Sequence, residues 1–369
     1  MNRFYPLRKR WFNRIALIED GRKITYRELD ELVSCTPYLP SVFHAPTTLG
    51  TVVRILKHWK TRTSFLPLSP KRPGLPEVQL PKGPFTALET SGTRGMPKIA
   101  LLPHSSHYYS AKGKHPLIEY RPGDHFSCSL PFNHIAGLMI LYRSMLAGGT
   151  LVFDPEAPCH HYSFVVFQLR EFLAKTHLHS GVRSILLGGS LIPQDLCDAA
   201  LRLGLPLFIT YGMTEAGSQI ATSRYTGSLA FDAPLPGREI KIEKEELCLR
   251  GKTLFKGYLN NASPFVRGWF LTKDRASFEN GRLTILGRSD NLIISGGENI
   301  DPKQIRTAAL SIPGISEARV TSRPDKRYGH RPLLHVKLTL PLSPLEIRKK
   351  LLALLTPYHV PFEEDINCS

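Results

Sequence analysis

Thr90-Ser91-Gly92-Thr93-Arg94-Gly95-Met96-Pro97-Lys98 packs three hydroxyls, two glycines and a lysine into nine residues. A phosphate group is served by such a set. Glycines let backbone N–H groups turn toward an anion with no Cβ in the way, hydroxyls add donors, and the lysine supplies charge. The Gly-Lys-Ser order of a Walker loop is missing, so the segment is a different kind of phosphate loop. The same residues also suit a plain Gly/Pro turn between two strands.

The flanking sequence sets this loop in a layered α/β chain. Upstream, Arg14 to Ile18 reads as a strand, and Thr25 with Glu28 forms a capping box ahead of helical spacing at Leu29, Leu32 and Val33. Between Thr36 and Pro84 the prolines Pro67, Pro70, Pro73, Pro76, Pro81 and Pro84 break any long element, leaving loops with short strands or helices. Downstream, Ile135 to Phe153 reads as a buried helix followed by a strand. Strands at Thr150 to Phe153, Ser184 to Leu187 and Pro206 to Thr210 alternate with helices at Ser163 to Ala174 and Pro193 to Leu203, the pattern of parallel strands with crossover helices. Past Arg238, short alternating segments at Glu239 to Ile242, Glu246 to Arg250 and Arg282 to Leu286 read as antiparallel β. A helix-and-strand region follows from Pro302. No internal repeat or low-complexity segment interrupts this order.

Composition bounds the function. The 369 residues are 42% hydrophobic and 21% charged, values of a globular protein with room for a large and a small domain. Forty-eight Lys and Arg against 31 Asp and Glu give a formal charge of +17, which favours anionic partners without choosing among nucleotides, phosphates, nucleic acid and lipid headgroups. The basic residues are scattered, apart from Arg8, Lys9 and Arg10, and no helix-turn-helix, zinc-finger or aromatic stacking motif accompanies them, so no specific nucleic acid is expected. Six cysteines lie far apart with no CxxC pair, which excludes a zinc ribbon or disulfide framework and fits a reducing cytoplasm. Cys159, His160 and His161 are adjacent, so they cannot all face one ion in regular structure; they read as loop or surface. No signal peptide or transmembrane segment is expected, because Ile15 to Ile18 is too short and Ile135 to Phe153 is broken by Arg143, Gly148 and Gly149.

With these surroundings, the loop at Thr90 to Lys98 resembles the phosphate loop of the adenylate-forming superfamily of acyl-CoA synthetases, luciferases and nonribosomal adenylation domains. Thr210-Tyr211-Gly212-Met213-Thr214-Glu215 is similar to that family's second nucleotide motif, Gly268-Trp269-Phe270-Leu271-Thr272-Lys273-Asp274 to its ribose motif, and Gly287-Arg288-Ser289-Asp290-Asn291 with Leu292 to Ile300 to its interdomain hinge and the strand and turn beyond. Four motifs in the right order make the resemblance specific. It implies an α/β fold: a large N-terminal domain of layered sheets and helices with a small β part over 1–287, then a short, truncated α+β C-terminal domain over 288–369 with Asp290 as hinge.

The resemblance also implies a site. Thr90, Ser91, Gly92, Thr93, Gly95 and Lys98 would hold ATP phosphates, Gly188 and Gly189 would lie beside the adenylate, and Tyr211 with Gly212 would flank adenine. Thr214 would meet the phosphate, Glu215 would hold Mg²⁺, Asp274 would accept from the ribose hydroxyls, and Arg288 would reach the nucleotide; Thr214, Glu215 and Lys98 are the expected catalytic residues. ATP, Mg²⁺ and coenzyme A are the implied partners, with a small-molecule acid. Ser129 to Leu138, followed by Tyr142-Arg143-Ser144, most resembles the o-succinylbenzoate-CoA ligases of menaquinone synthesis. In these the arginine helps bind the substrate's second carboxylate. Arg143 is accordingly a substrate candidate, with His134 and Ser218, although an arginine in an apolar segment also suits a structural bridge to a core carboxylate, and His134 suits a hydrogen-bonded core histidine.

Three departures stand out. Arg94 replaces the usual threonine of the phosphate loop and Lys273 the usual glycine of the ribose motif. Thr356 to Phe362 resembles the Pro-x-x-Pro-like segment that precedes a late Gly-Lys pair in the family, yet no such pair follows before Ser369. The expected activity is therefore activation of an aromatic acid to acyl-AMP and transfer to CoA, with adenylation the weaker half-reaction. The alternatives are a degenerate relative that binds nucleotide without catalysis and a ligase for another aryl or fatty acid.

Overall fold

The computed structural model describes residues 3–90, 98–174, 181–190, 192–289, 292–295, 298–325 and 328–369. Contacts divide the chain into two units. The first holds 1–243, 247–272 and 277–284; the second holds 244–246, 273–276 and 285–369.

The first unit opens with the antiparallel pair β1 (Ile15–Glu19) and β2 (Arg22–Thr25), then α1 (Tyr26–Cys35). The Thr25–Glu28 capping box is formed in both directions and points Tyr26, Leu29 and Val33 inward. β3 (Val42–His44) pairs in parallel with β4 (Leu66–Leu68) around α2 (Leu49–Thr61). This helix corrects the expectation that prolines exclude any long element from 36–84: it fits ahead of Pro67, is capped by Thr48, and buries Val52, Ile55, Leu56 and Trp59. Full burial of each such side chain contributes about 1.5–3 kcal/mol, enough to outweigh the local loop composition.

β5 (Phe85–Thr90) and β6 (Lys98–Pro103) form an antiparallel pair in which Thr90 faces Lys98, and α3 (His104–Lys112) follows. β7 (His125–Ser127), α4 (Ile135–Ala147), β8 (Thr150–Val152), β9 (His161–Phe164), α5 (Val166–Leu173), β10 (Ser184–Leu187), α6 (Gln194–Arg202), β11 (Leu207–Met213) and β12 (Ser218–Arg224) complete the main layer. Its sheet has the order β12-β11-β10-β9-β7-β8-β1-β2, parallel from β11 through β1 and antiparallel only at the two edges. The expected α/β layering is thus observed.

Two local expectations need correction. Ser163 and Phe164 belong to β9 rather than to the helix that starts at Val166, because they pair with Leu186 and Leu187. Cys159 lies in the loop ahead of β9, as expected, but is buried; His161 is in β9 and buried, and its ring sits between Asp124 Oδ2 (2.9 Å) and Ser184 Oγ (2.8 Å). Sheet pairing and these two partners offset the cost of desolvating the ring.

β13 (Arg238–Glu243), β14 (Glu246–Gly251), β15 (Phe265–Val266), β16 (Trp269–Glu279) and β17 (Arg282–Arg288) make the five-stranded β part, in the order β13-β14-β16-β15 with β17 on β16. The second unit then adds β18 (Ile293–Ser295), β19 (Glu298–Ile300), α7 (Pro302–Leu310), β20 (Ile315–Asp325), β21 (Gly329–Leu338), α8 (Pro344–Leu352) and β22 (Ile366–Cys368). Its sheet runs β19-β18-β21-β20 with β22 on β21, and Ile305, Ala309, Leu334, Val336, Ile347 and Leu351 form its core. Among the described residues, no helix is long and apolar enough to cross a membrane.

Candidate functional site

Within the first unit, the candidate residues gather where strands end. Thr90 and Lys98 close the β5–β6 pair, and Thr90 Oγ1 donates to the Lys98 carbonyl at 3.3 Å. Ser91, Gly92, Thr93 and Gly95, with Arg94, lie outside the described residues. Lys98 is exposed, and its Nζ lies 5.1 Å from the centroid of the Tyr258 ring.

That tyrosine had no place in the sequence reading. Its hydroxyl donates to Glu215 Oε1 at 2.7 Å, so one side chain touches both the phosphate-loop lysine and the glutamate of the second motif. The backbone fixes the arrangement. Lys256 and Leu259 N–H groups donate to Leu101 and Ile99 of β6, and the Phe255 N–H donates to the Glu215 carbonyl at 2.8 Å. Glu215 retains Oε2 for a hard cation, a fit to the oxygen chemistry magnesium requires. No local signal marks Tyr258, because its partner lies 43 residues earlier.

Thr214 and Glu215 sit on a single 3₁₀ turn between β11 and β12, both half-buried. The turn is tight. A Cβ on Gly212 would stand 2.0 Å from the Ser218 carbonyl, so only glycine lets the two strands close there. Ser218 itself has φ 103, a strained value costing about 1–3 kcal/mol. Tyr211 lies 6.1 Å from Phe231, ring to ring. Gly188 ends β10 against β11, where a Cβ would meet Thr210 Cγ2 and O at 2.7 Å; Gly189 beside it has φ 84.

Arg143 is buried on α4. Its Nε donates to the Met139 carbonyl (2.9 Å) and its Nη1 to Gln219 Oε1 (3.0 Å), with no carboxylate among its described partners. The structural bridge to a core carboxylate is therefore not what holds it. Arg143 lines a narrow crevice with Tyr120, Ile140, His161, Tyr162, Ser163 and Leu186. His134, by contrast, is exposed at the cap of α4, so it is not a core histidine.

The remaining candidates belong to the second unit. Asp274 is buried and accepts from Arg288 Nη1 at 3.2 Å, so the two nucleotide candidates of this unit are paired with each other. Lys273 has φ 62 and its N–H donates to Glu246 Oε1 at 2.7 Å. A left-handed backbone accounts for the glycine usual at this position. Asp290 lies outside the described residues. Among the described residues, no group of His, Cys, Asp and Glu suited to an all-protein metal cage is present, which leaves Glu215 as a single-carboxylate metal candidate.

Residues 48–259 match the family model described as AMP-binding enzyme. The chain belongs to this family. It is similar to the 2-succinylbenzoate–CoA ligase of Salmonella typhimurium, 38% identical over 259 residues, covering 67% of this chain and 57% of that enzyme. It is also similar to that of Bacillus licheniformis, 34% identical over 308 residues, covering 75% of this chain and 64% of that enzyme. The chain thus spans less than two thirds of the length of these curated relatives. Among AMP-binding enzymes of known structure, it resembles wild-type Escherichia coli MenE with a bound phenylether-linked analogue of OSB-AMS, at TM-score 0.82, 27% identity, and coverage of 96% of this chain and 92% of that one. The o-succinylbenzoate coenzyme A synthetase MenE of Bacillus subtilis, in complex with ATP and magnesium ion, gives TM-score 0.77 at 25% identity, covering 96% and 93%.

Proposed function

We propose that this protein is an acid–thiol ligase that activates o-succinylbenzoate with ATP and transfers it to coenzyme A, as a step toward menaquinone. The observation that carries the reading is Arg143, a buried guanidinium with no carboxylate partner among the described residues, lining a narrow crevice of mixed aromatic, aliphatic and hydroxyl side chains. Burial of an unpaired cation costs several kcal/mol. A carboxylate on the bound acid offsets that cost, and a guanidinium fork matches its geometry.

In this reading the acid's other carboxylate attacks the α-phosphorus of ATP, forming acyl-AMP and releasing pyrophosphate; the CoA thiol then displaces AMP. No protein nucleophile takes part. Lys98, with Thr90 and the loop residues Ser91, Gly92, Thr93 and Gly95, neutralises and orients the phosphates. Thr214 contacts the α-phosphate, and Glu215 with its Tyr258 hydrogen bond holds Mg²⁺, which supplies charge stabilisation on the phosphates when bound. Gly188, Gly189, Tyr211 and Gly212 form the adenine side; Asp274 and Arg288 serve ribose and phosphate. Ser218 and His134 border the acid. The domain division at 287/288, with Asp290 as pivot between the half-reactions, is part of the same proposal. The six free cysteines suit a reducing cytoplasm.

ATP–pyrophosphate exchange by the purified chain with Mg²⁺ and o-succinylbenzoate tests the reading. Exchange well above a Glu215→Ala variant is expected. Absence of exchange in a chain that binds ATP would sink the acid-activating step.

A further inference from the structure

Arg143 is not the only buried guanidinium in this part of the first unit. Arg238, on β13, is equally buried, and its donors are spent on oxygens of its surroundings. Nε donates to the Gln219 carbonyl (2.8 Å), Nη1 to Gly113 and Pro236 carbonyls (2.9 Å each), and Nη2 to the Ser110 hydroxyl (2.9 Å). No carboxylate is among the described partners of either arginine. Burial and the neighbouring Arg143 charge push the Arg238 pKa down to about 10, still cationic at neutral pH.

Gln219 lies between the two. Its backbone carbonyl accepts from Arg238 while its side-chain Oε1 accepts from Arg143. Its Nε2 donates to the hydroxyls of Thr222 (3.0 Å) and Thr210 (3.3 Å). The orientation of this amide is forced, since a guanidinium has only donors and must face the oxygen, leaving the NH₂ to the two threonines. Thr210 Oγ1 is itself 2.9 Å from Thr222 Oγ1, so the amide is gripped on one side by the β11–β12 pair and grips Arg143 on the other. Arg143 Nη2 has no partner among the described residues. The result is a guanidinium fixed at Nε by Met139 and at Nη1 by Gln219, beside a second buried positive charge, with its remaining edge uncommitted.

We infer that Gln219 is a positioning residue that aims Arg143 and, being neutral, keeps the double positive charge uncompensated, so that Gln219 and Arg238 together set preference for an acid with a second carboxylate. This rests on the ligase reading above. A glutamate in place of Gln219 would supply that carboxylate from within, and a methionine would release the guanidinium.

The experiment compares binding of o-succinylbenzoate and of benzoylpropionate, the same keto acid without the ring carboxylate, by calorimetry. It uses the full chain and its Gln219→Glu, Gln219→Met and Arg143→Leu variants, each first shown to unfold cooperatively. Gln219→Glu is expected to weaken o-succinylbenzoate about 30-fold while leaving benzoylpropionate within about threefold. Gln219→Met is expected to weaken the diacid about tenfold. If Arg143→Leu abolishes the diacid preference and both Gln219 variants keep it, the inference is overturned and the ligase reading stands. If Arg143→Leu also keeps it, the assignment of the acid fails, and the role of Gln219 with it.

Discussion

Tyr258 carries the most consequence for a single residue outside the recognised motifs. Its hydroxyl holds one oxygen of Glu215, and its ring lies under Lys98. Removing a partner that orients a metal-binding carboxylate typically weakens metal affinity by about 10–100-fold. Tyr258→Phe is accordingly expected to raise, about tenfold, the Mg²⁺ concentration that half-saturates ATP binding in calorimetry, with the acid's affinity unchanged. An unchanged magnesium requirement would remove Tyr258 from the site. Glu215 and Lys98 were legible in the sequence because each sits in a short motif whose chemistry is local. Tyr258 was not, since Lys256-Gly257-Tyr258-Leu259 becomes a partner only by running alongside β6. Lys273 shows the reverse: its mismatch with the usual glycine was visible, and its positive φ explains the preference it departs from.

At the scale of elements, the site depends on strands that approach more closely than side chains allow. Gly188 is the clearest case, since its backbone is not in the left-handed region and the constraint is contact alone. In Gly188→Ala the new methyl would meet backbone and side-chain atoms of Thr210 at 2.7 Å. Overpacking of this kind costs about 1–3 kcal/mol. A lower urea midpoint with unchanged slope, together with weaker ATP binding, is expected; a midpoint equal to that of the parent chain would show that β10 and β11 part without cost. The strands β8, β10, β11, β13, β14 and β17 and helices α1, α4 and α6 were readable because their apolar patterns and, for α1, the Thr25–Glu28 cap lie within a few residues. The start of β9 was not, because a histidine beside a cysteine and another histidine carries no strand signal until Ser184 and Asp124 satisfy it.

Across the whole molecule, buried histidines set the response to acid. Burial lowers the His58 pKa to about 4 and that of His107 to about 3; His161 is also lowered to about 4 by burial, with Asp124 opposing the shift. His104, beside His107, is lowered as well. In the unfolded chain each takes up a proton near pH 6.5. The folded state is therefore fully favoured above that value and loses ground as pH falls toward 4, by up to about 1.4 kcal/mol per pH unit for each histidine. Urea midpoints measured from pH 7.5 to 5 are expected to fall steadily; a flat profile would mean that these rings are hydrated or protonated in the folded chain.

The sequence by itself determined the family, the α/β order and the motifs from which the proposed nucleotide site is built, because phosphate loops, caps and strand alternation are written in adjacent side chains. Only the tertiary structure decided that Arg143 meets Gln219 rather than a carboxylate, that Arg238 lies buried behind it, that Tyr258 joins Lys98 to Glu215, and that Asp274 pairs with Arg288. Most of these partners stand tens of residues apart, and even the nearer pair, Asp274 and Arg288, is separated by the turn between β16 and β17. Which of several polar groups a buried charge selects is an energy set by packing and desolvation, quantities that no stretch of sequence contains alone.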